Sequence, residues 1–174
     1  MLLELLKLGI SSPAKRVLMD SVLDLLRYHL FTIGYAWKSD YGDPDVKEDF
    51  EFIYKWSPYH NVRDGTTFQY PAIYCETSDH DDRVYSSLPP SVRTLTDFSV
   101  PLHSFKFVAA LQHAAGKTNR APLLLRHHLK AGHGAGKPTQ KVIEEASERF
   151  AFMMNATGTE FLERKKEPGS CLPL

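Results

Sequence analysis

Apolar positions recur along this chain with two spacings, one helical and one of strand length. Between residues 14 and 30, Val17, Leu18, Val22, Leu25, Leu26 and His29 fall at helical spacing and predict a first helix. The stretch "FTIGYAWKSDYG" is aromatic and glycine-punctuated and reads as loop. Asp43 suits an N-cap and Pro44 a first helical position, so a second helix is predicted through "DVKEDFEFIYKW", stopping before Pro58. From Tyr70 the pattern changes. "YPAIYCET" is an apolar run of strand length, and "SDHDDRV" follows it as a charged loop. In "PLHSFKFVAALQHAAG", Leu102, Phe105, Val108 and Leu111 predict a helix that stops at Gly116. "PLLLRHHL" reads as a second buried strand. A glycine loop follows it, then a helix from about Pro138 with Val142, Ala146, Phe150 and Met153 on one face.

The second half therefore reads strand, charged loop, helix, strand, glycine loop, helix. That alternation predicts an α/β fold with parallel strands and crossover helices. In such sheets, functional groups sit on loops leaving the carboxyl ends of strands, where both the charged loop and the glycine loop fall.

Composition narrows the class. The chain has 174 residues, 43% hydrophobic and 24% charged, which suits one domain with a real core. Lys+Arg and Asp+Glu both number 21, so no basic footprint for nucleic acid or an anionic membrane is present. Two cysteines, Cys75 and Cys171, encode neither a disulfide framework nor a cysteine-rich zinc site. Glu4 and Lys7 interrupt the apolar start "MLLELLKLGI", which does not read as a secretory signal. No segment reaches the roughly 18 apolar residues of a membrane span. A soluble cytoplasmic protein is expected, without nucleic-acid or membrane partners.

The loop "LKAGHGAGKPTQKV", Leu129 to Val142, carries the chemistry to be decided. A P-loop needs four residues between its glycines and a Ser or Thr after its lysine. Here three residues separate Gly132 from Gly136, and Pro138 stands in the hydroxyl position. A metal site would use His127, His128 and His133, with His80 and Asp81. His127 and His128 are adjacent on a strand, so their side chains point to opposite faces. A catalytic histidine fits better. His133 as a general base needs a carboxylate to fix its tautomer, and Asp79, Asp81 and Asp82 follow the preceding strand. An acid after one strand and a histidine after the next is the α/β-hydrolase order. A surface turn beside a solvated acidic loop is the competing reading.

"SDHDDRV", "PLHSFKFVAALQ" and "KAGHGAGKPTQKVIEEASERFAF" closely resemble the C-terminal end of the prolyl oligopeptidase (prolyl endopeptidase) family of serine peptidases, and "FTIGYAWKSDYG" and "SPYHNV" match it upstream. The resemblance covers about residues 21 to 84 and 100 to 154. It implies the C-terminal part of an α/β-hydrolase catalytic domain at 21–155 and leaves 1–20 as a divergent segment; the polar residues 156–174 are expected to form a disordered tail. It implies cleavage of short peptides after proline, with Asp81 and His133 as two members of the catalytic triad. It also implies Trp37 stacked on the substrate proline, Tyr41 and Val84 beside it, and Arg83 on a substrate carbonyl. Taken without the family, Trp37 and Tyr41 could equally be core aromatics, and Arg83 a partner of Asp79 or Asp82. No metal or organic cofactor is implied, and Lys137 and Lys141 are expected to be solvated.

The chain departs from the family pattern in ways that bear on activity. No serine has glycines two positions before and after it; "GISSP" fails because Pro13 replaces the second glycine. The nucleophile-elbow strand and the upstream β-propeller are expected to be missing, leaving about two strands. The exposed sheet edge predicts low solubility unless a partner chain completes the sheet. The alternative function is accordingly an inactive fragment or an interaction module. Residues 85–99, "YSSLPPSVRTLTDFS", form an insertion after Asp81 and Arg83, either a surface loop or a non-coding stretch translated in frame. Sequencing the transcript distinguishes these: loss of the codons for 85–99 removes the insertion from the protein, and their presence makes it a loop.

Overall fold

The computed structural model describes residues 16–19, 21–31, 34–78, 99–129 and 138–160. Three strands, β1 (Arg16–Met19), β2 (Ile73–Ser78) and β3 (Leu123–His128), form one parallel sheet in the order β1-β2-β3. The helices are α1 (Lys38–Tyr41), α2 (Lys47–Trp56), α3 (Ser99–Ala115) and α4 (Thr139–Thr157), with short 3-10 turns at Tyr28–Leu30, Gly34–Trp37 and Tyr59–Asn61. Helix α3 crosses from β2 to β3, and α4 follows β3.

Strand β2 is the centre of the molecule. It pairs with a neighbour on each side, and all six of its residues are buried. Its alternating side chains feed two cores. Ile73 and Cys75 pack with Leu18, Leu123 and the α3 residues Phe107, Val108, Leu111 and Ala115. Ala72 and Tyr74 pack with Phe152 of α4, beside Val17 and Met153. Helices α3 and α4 therefore cover opposite faces of the sheet, the arrangement that buries a parallel sheet on both sides.

The helix expected over 14–30 is not formed. Its first part is β1, paired with β2 from Arg16↔Ile73 to Met19↔Glu76, so the sheet has three strands rather than two. Beyond it, side chains consume the amides that a helix would need. Asp24 N–H donates to His103 Nδ1 at 3.2 Å, and Leu25 N–H to Ser57 Oγ at 3.0 Å. Apolar spacing cannot reveal a backbone held by partners 79 and 32 residues away.

The second helix begins at Lys47, later than Asp43–Pro44, because Asp43 closes a turn of its own. Its Oδ1 accepts the Asp45 N–H at 3.1 Å, and its N–H donates to Asp49 Oδ2 at 2.8 Å. Gly42 opens this turn at φ 91°, where a Cβ would also press on the Asp49 carboxylate. "YAWKSDY" is a 3-10 turn running into α1 rather than plain loop.

The buried stripes of the long helices match those expected only in part: Val108 and Leu111 of α3 are buried, and Met153 of α4 packs against the core. On α3, Phe107 is buried while Phe105 is 43% exposed. On α4, Glu145 and Phe152 face inward, whereas Val142 and Phe150 face solvent. Strand β3 is only half-buried and Leu124 is exposed, since among the described residues it has a neighbour on one side alone. Gly116 does stop α3; its N–H donates to Gln112 O at 2.8 Å.

These stripes separate by mutation. Phe107→Ala is expected to cost about 3–5 kcal/mol in urea denaturation, through a cavity under β2. Phe105→Ala is expected to cost less than about 1 kcal/mol.

Candidate active site

The carboxyl ends of the three strands lie along one rim of the sheet. Strands β2 and β3 end side by side, in register at Thr77↔His127 and Ser78↔His128. Helix α3 runs back from that rim, so its first half lies there, and Phe105 touches His127 with ring centroids 5.3 Å apart. His103 and Lys106 of the same half of α3 hold Asp24, which follows β1.

Asp24 is a buried carboxylate, 1% exposed, with cations on several sides. Lys106 Nζ donates to Oδ2, Arg27 Nε lies 3.3 Å from the same oxygen, and His60 Nδ1 lies 3.8 Å from Oδ1. Burial pushes its pKa up, but hydrogen bonding and charge from Lys106, with His60 and Arg27, win and hold it below the ordinary carboxylate value. His60 also bonds Ser57 Oγ at 2.8 Å, and Lys106 sits over the Tyr59 ring at 4.3 Å. His103 accepts the Asp24 N–H at Nδ1, which places its proton on Nε2. Burial lowers its pKa to about 4, against the opposing charge of Asp24.

This anchored segment carries the aromatic platform. Tyr28 is buried; its hydroxyl donates to Gly42 O at 2.6 Å, and its ring meets Tyr41 edge-on at 5.6 Å. Trp37 meets Tyr41 edge-on at 6.3 Å. Gly34 lies so close to the Tyr28 carbonyl that a Cβ would stand 1.9 Å from its oxygen, so only glycine lets the 3-10 turn before Trp37 lie here. Trp37 is half-buried and Tyr41 is 49% exposed, so the pair is an open surface and not interior packing. Lys38 donates to Asp43 Oδ2 at 2.8 Å, which holds the Asp43 carboxyl below and the Lys38 ammonium above their ordinary values.

On the opposite face, a second cluster braces the ends of β2 and β3. Glu76 Oε1 lies 3.1 Å from His128 Nε2, and Arg149 Nε lies 2.8 Å from Glu76 Oε2. Glu145 approaches both His128, at 3.8 Å, and Arg149, at 3.6 Å. Arg126 grips Glu148 with two bonds of 2.8 and 2.6 Å, and burial beside Glu148 and Glu76 pushes Tyr74 up to about 12. His127 and His128 thus face opposite sides, as strand alternation requires. The two ends of the glycine loop are clasped: Lys141 Nζ donates to Leu129 O at 2.5 Å, so this lysine is engaged rather than merely solvated.

Asp81, Arg83, Val84 and His133, with the insertion up to residue 98 and the tail from 161, lie outside the described residues. Of the expected site, the structure brings Trp37 and Tyr41 together. The sequence reading missed both ion clusters. Their signal was present: Asp24 interrupts "SVLDLL", and Glu76 interrupts the apolar strand "AIYCETS".

The His103 pKa gives a pH dependence. The unfolded imidazole takes a proton near pH 6.5, while the folded one resists until about pH 4. Below 6.5 the unfolded state binds more protons, so stability falls as pH drops through that window. The expected loss is on the order of 3 kcal/mol between pH 7 and 4. His103→Gln keeps an acceptor for Asp24 N–H and should flatten this part of the profile in urea titrations at stepped pH. The depressed Asp24 carboxyl adds a separate loss below its ordinary range.

Comparison with known proteins places this geometry. The prolyl oligopeptidase family profile (Peptidase_S9) matches residues 16–160, beginning at β1. Prolyl oligopeptidase A of Amanita bisporigera is 44% identical over 144 residues, 83% of this chain and 17% of that protein. Prolyl endopeptidase of Elizabethkingia meningoseptica is 42% identical over 143 residues, 82% of this chain and 18% of that protein. Among solved structures, prolyl oligopeptidase B from Galerina marginata, bound to a 35mer hydrolysis and macrocyclization substrate, superposes with a TM-score of 0.70 at 40% identity. That match covers 84% of this chain and 18% of the other. The chain thus spans less than a fifth of the length of these relatives. With its parallel sheet and crossover helices, it is part of an α/β-hydrolase fold and belongs to the prolyl oligopeptidase family of peptidases.

Proposed function

We propose that this chain supplies the acid–histidine part of a serine-type endopeptidase that cleaves short peptides on the carboxyl side of proline. In this reading His133 takes the proton from a serine and later delivers it to the leaving amine, and Asp81 orients and charge-stabilises the imidazole. Trp37 offers its face to the proline ring, with Tyr41 and Val84 beside it, and Arg83 donates to the neighbouring carbonyl. The chemistry needs no metal or organic cofactor.

The observation that carries the reading is the register of β2 and β3. Their ends, Ser78 and His128, are paired neighbours. Asp81 follows three residues after one, and His133 five after the other. At about 3.3 Å per extended residue, both side chains can reach a common point above the rim. The Asp24 cluster anchors the Trp37 segment to α3 at the same rim.

The sequence holds no Gly-x-Ser-x-Gly elbow, so the polypeptide alone lacks the nucleophile and the oxyanion donors that the elbow supplies. By itself it is inactive. Among the described residues β1 is paired only with β2, leaving an edge where a strand bearing the serine, from another chain or segment, would complete the sheet. The cell compartment assigned to this reading is the cytoplasm.

The test joins this chain to the preceding catalytic-domain sequence of the Amanita bisporigera relative. The chain alone should neither turn over a proline-containing fluorogenic peptide nor label with a serine-directed phosphonate. The chimera should do both. His133→Ala in the chimera should lower kcat by on the order of 10⁴ or more. Trp37→Ala should act mainly on KM. A chimera indifferent to His133→Ala would exclude the assignment.

A further inference from the structure

His29, Asp43 and Asp45 gather beside the platform in a way the peptidase reading does not use. One ligand atom from each lies within 4.8 Å of the others. The His29 side chain is only 5% exposed, and it points its Nε2 at Asp45 Oδ2, 3.2 Å away. Neither of its ring nitrogens makes a hydrogen bond. The Nε2 contact with Asp45 is thus a charge contact outside hydrogen-bond geometry, and a ligand on Nε2 would give this buried nitrogen a directed partner. The carboxylates are set by their own backbone. Asp43 Oδ1 accepts the Asp45 N–H, and the Asp43 N–H is fixed by Asp49, so Asp43 Oδ2 is left to take a cation. A cation already sits there: Lys38 Nζ lies 2.8 Å from Asp43 Oδ2 and 3.7 Å from Asp45 Oδ2.

We propose that His29, Asp43 and Asp45 form a zinc site whose resident cation is the Lys38 ammonium, so that zinc and Lys38 compete for the same two carboxylates. An imidazole nitrogen with two carboxylate oxygens matches the donor set of zinc, leaving a fourth position for water. At bond lengths near 2.1 Å, tetrahedral ligands stand about 3.4 Å apart; His29 and Asp45, 3.2 Å apart, already fit, and the widest separation, within 4.8 Å, closes by at most about 1.4 Å. Asp45, 71% exposed, is free to make that movement. Magnesium prefers an all-oxygen shell and is excluded by the imidazole. Lys38 follows Trp37 directly, so its displacement is felt at the platform, while metal binding itself does not depend on the peptidase reading.

Calorimetric titration of the chain with zinc chloride tests this, alongside Asp45→Asn and Lys38→Met, two partly or largely exposed positions that should leave folding intact. One equivalent of zinc is expected to bind, with no response to magnesium. Asp45→Asn should weaken binding about tenfold or more, and Lys38→Met should tighten it by a similar factor. Absence of binding by the unaltered chain, or unaltered affinity in either variant, overturns the assignment.

Discussion

Everything in this molecule hangs from β2. A strand paired on both edges and covered on both faces has no solvent-facing position, and each of its six residues is buried. Its odd residues fix α3 and its even residues fix α4. Its carboxyl end sets where the acidic loop departs, beside the end of β3 from which the glycine loop departs. The placement of candidate chemistry therefore follows from the same pairing that builds the core.

Each side of this sheet also carries a buried ionic cluster near the rim formed by the carboxyl ends of the strands. Asp24 with Lys106, Arg27 and His60 lies on the α3 side, and Glu76 with His128, Arg149 and Glu145 on the α4 side. Such groups add little net stability, because the desolvation of the charges offsets their attraction. Removing one partner is nonetheless expensive, since it strands a buried charge. Their effect is to fix geometry: Asp24 locks the chain between β1 and Tyr28, and Glu76 with Arg149 locks α4 over the end of β3. Rigid support of this kind suits a platform and loops that must hold their positions to within a fraction of an ångström.

The alternation of the second half was legible from residues alone. "YPAIYCET", "PLHSFKFVAALQHAAG", "PLLLRHHL" and the helix after Pro138 all took the form their length and punctuation predicted. The first half misled, because β1 is four residues long and acquires its identity only by pairing with residues more than fifty positions away. The helix faces were misjudged in part, for a related reason. On α4 the inward position belongs to Glu145, whose burial depends on partners from other elements, and a pattern of apolar residues cannot score a buried ion. Trp37 and Tyr41 were named through the family likeness; their contact and open face needed the fold. Asp24 and Glu76 were visible as charges inside apolar runs, but their partners were not.

The same topology that assembles the rim makes it conditional on long-range order. Trp37 is anchored through Tyr28, and the adjoining segment through Asp24 to α3, across 82 residues of chain. The ends of β2 and β3, from which the acidic and histidine loops depart, become neighbours only when the two strands pair across fifty residues. Parallel pairings of this separation form slowly, because loop closure precedes any compensating contact. Among the described residues the outer side of β1 is unpaired, and a strand added there would bury that edge and tighten the register that β1 imposes on β2. Burial of that edge and ordering of the rim are then one event.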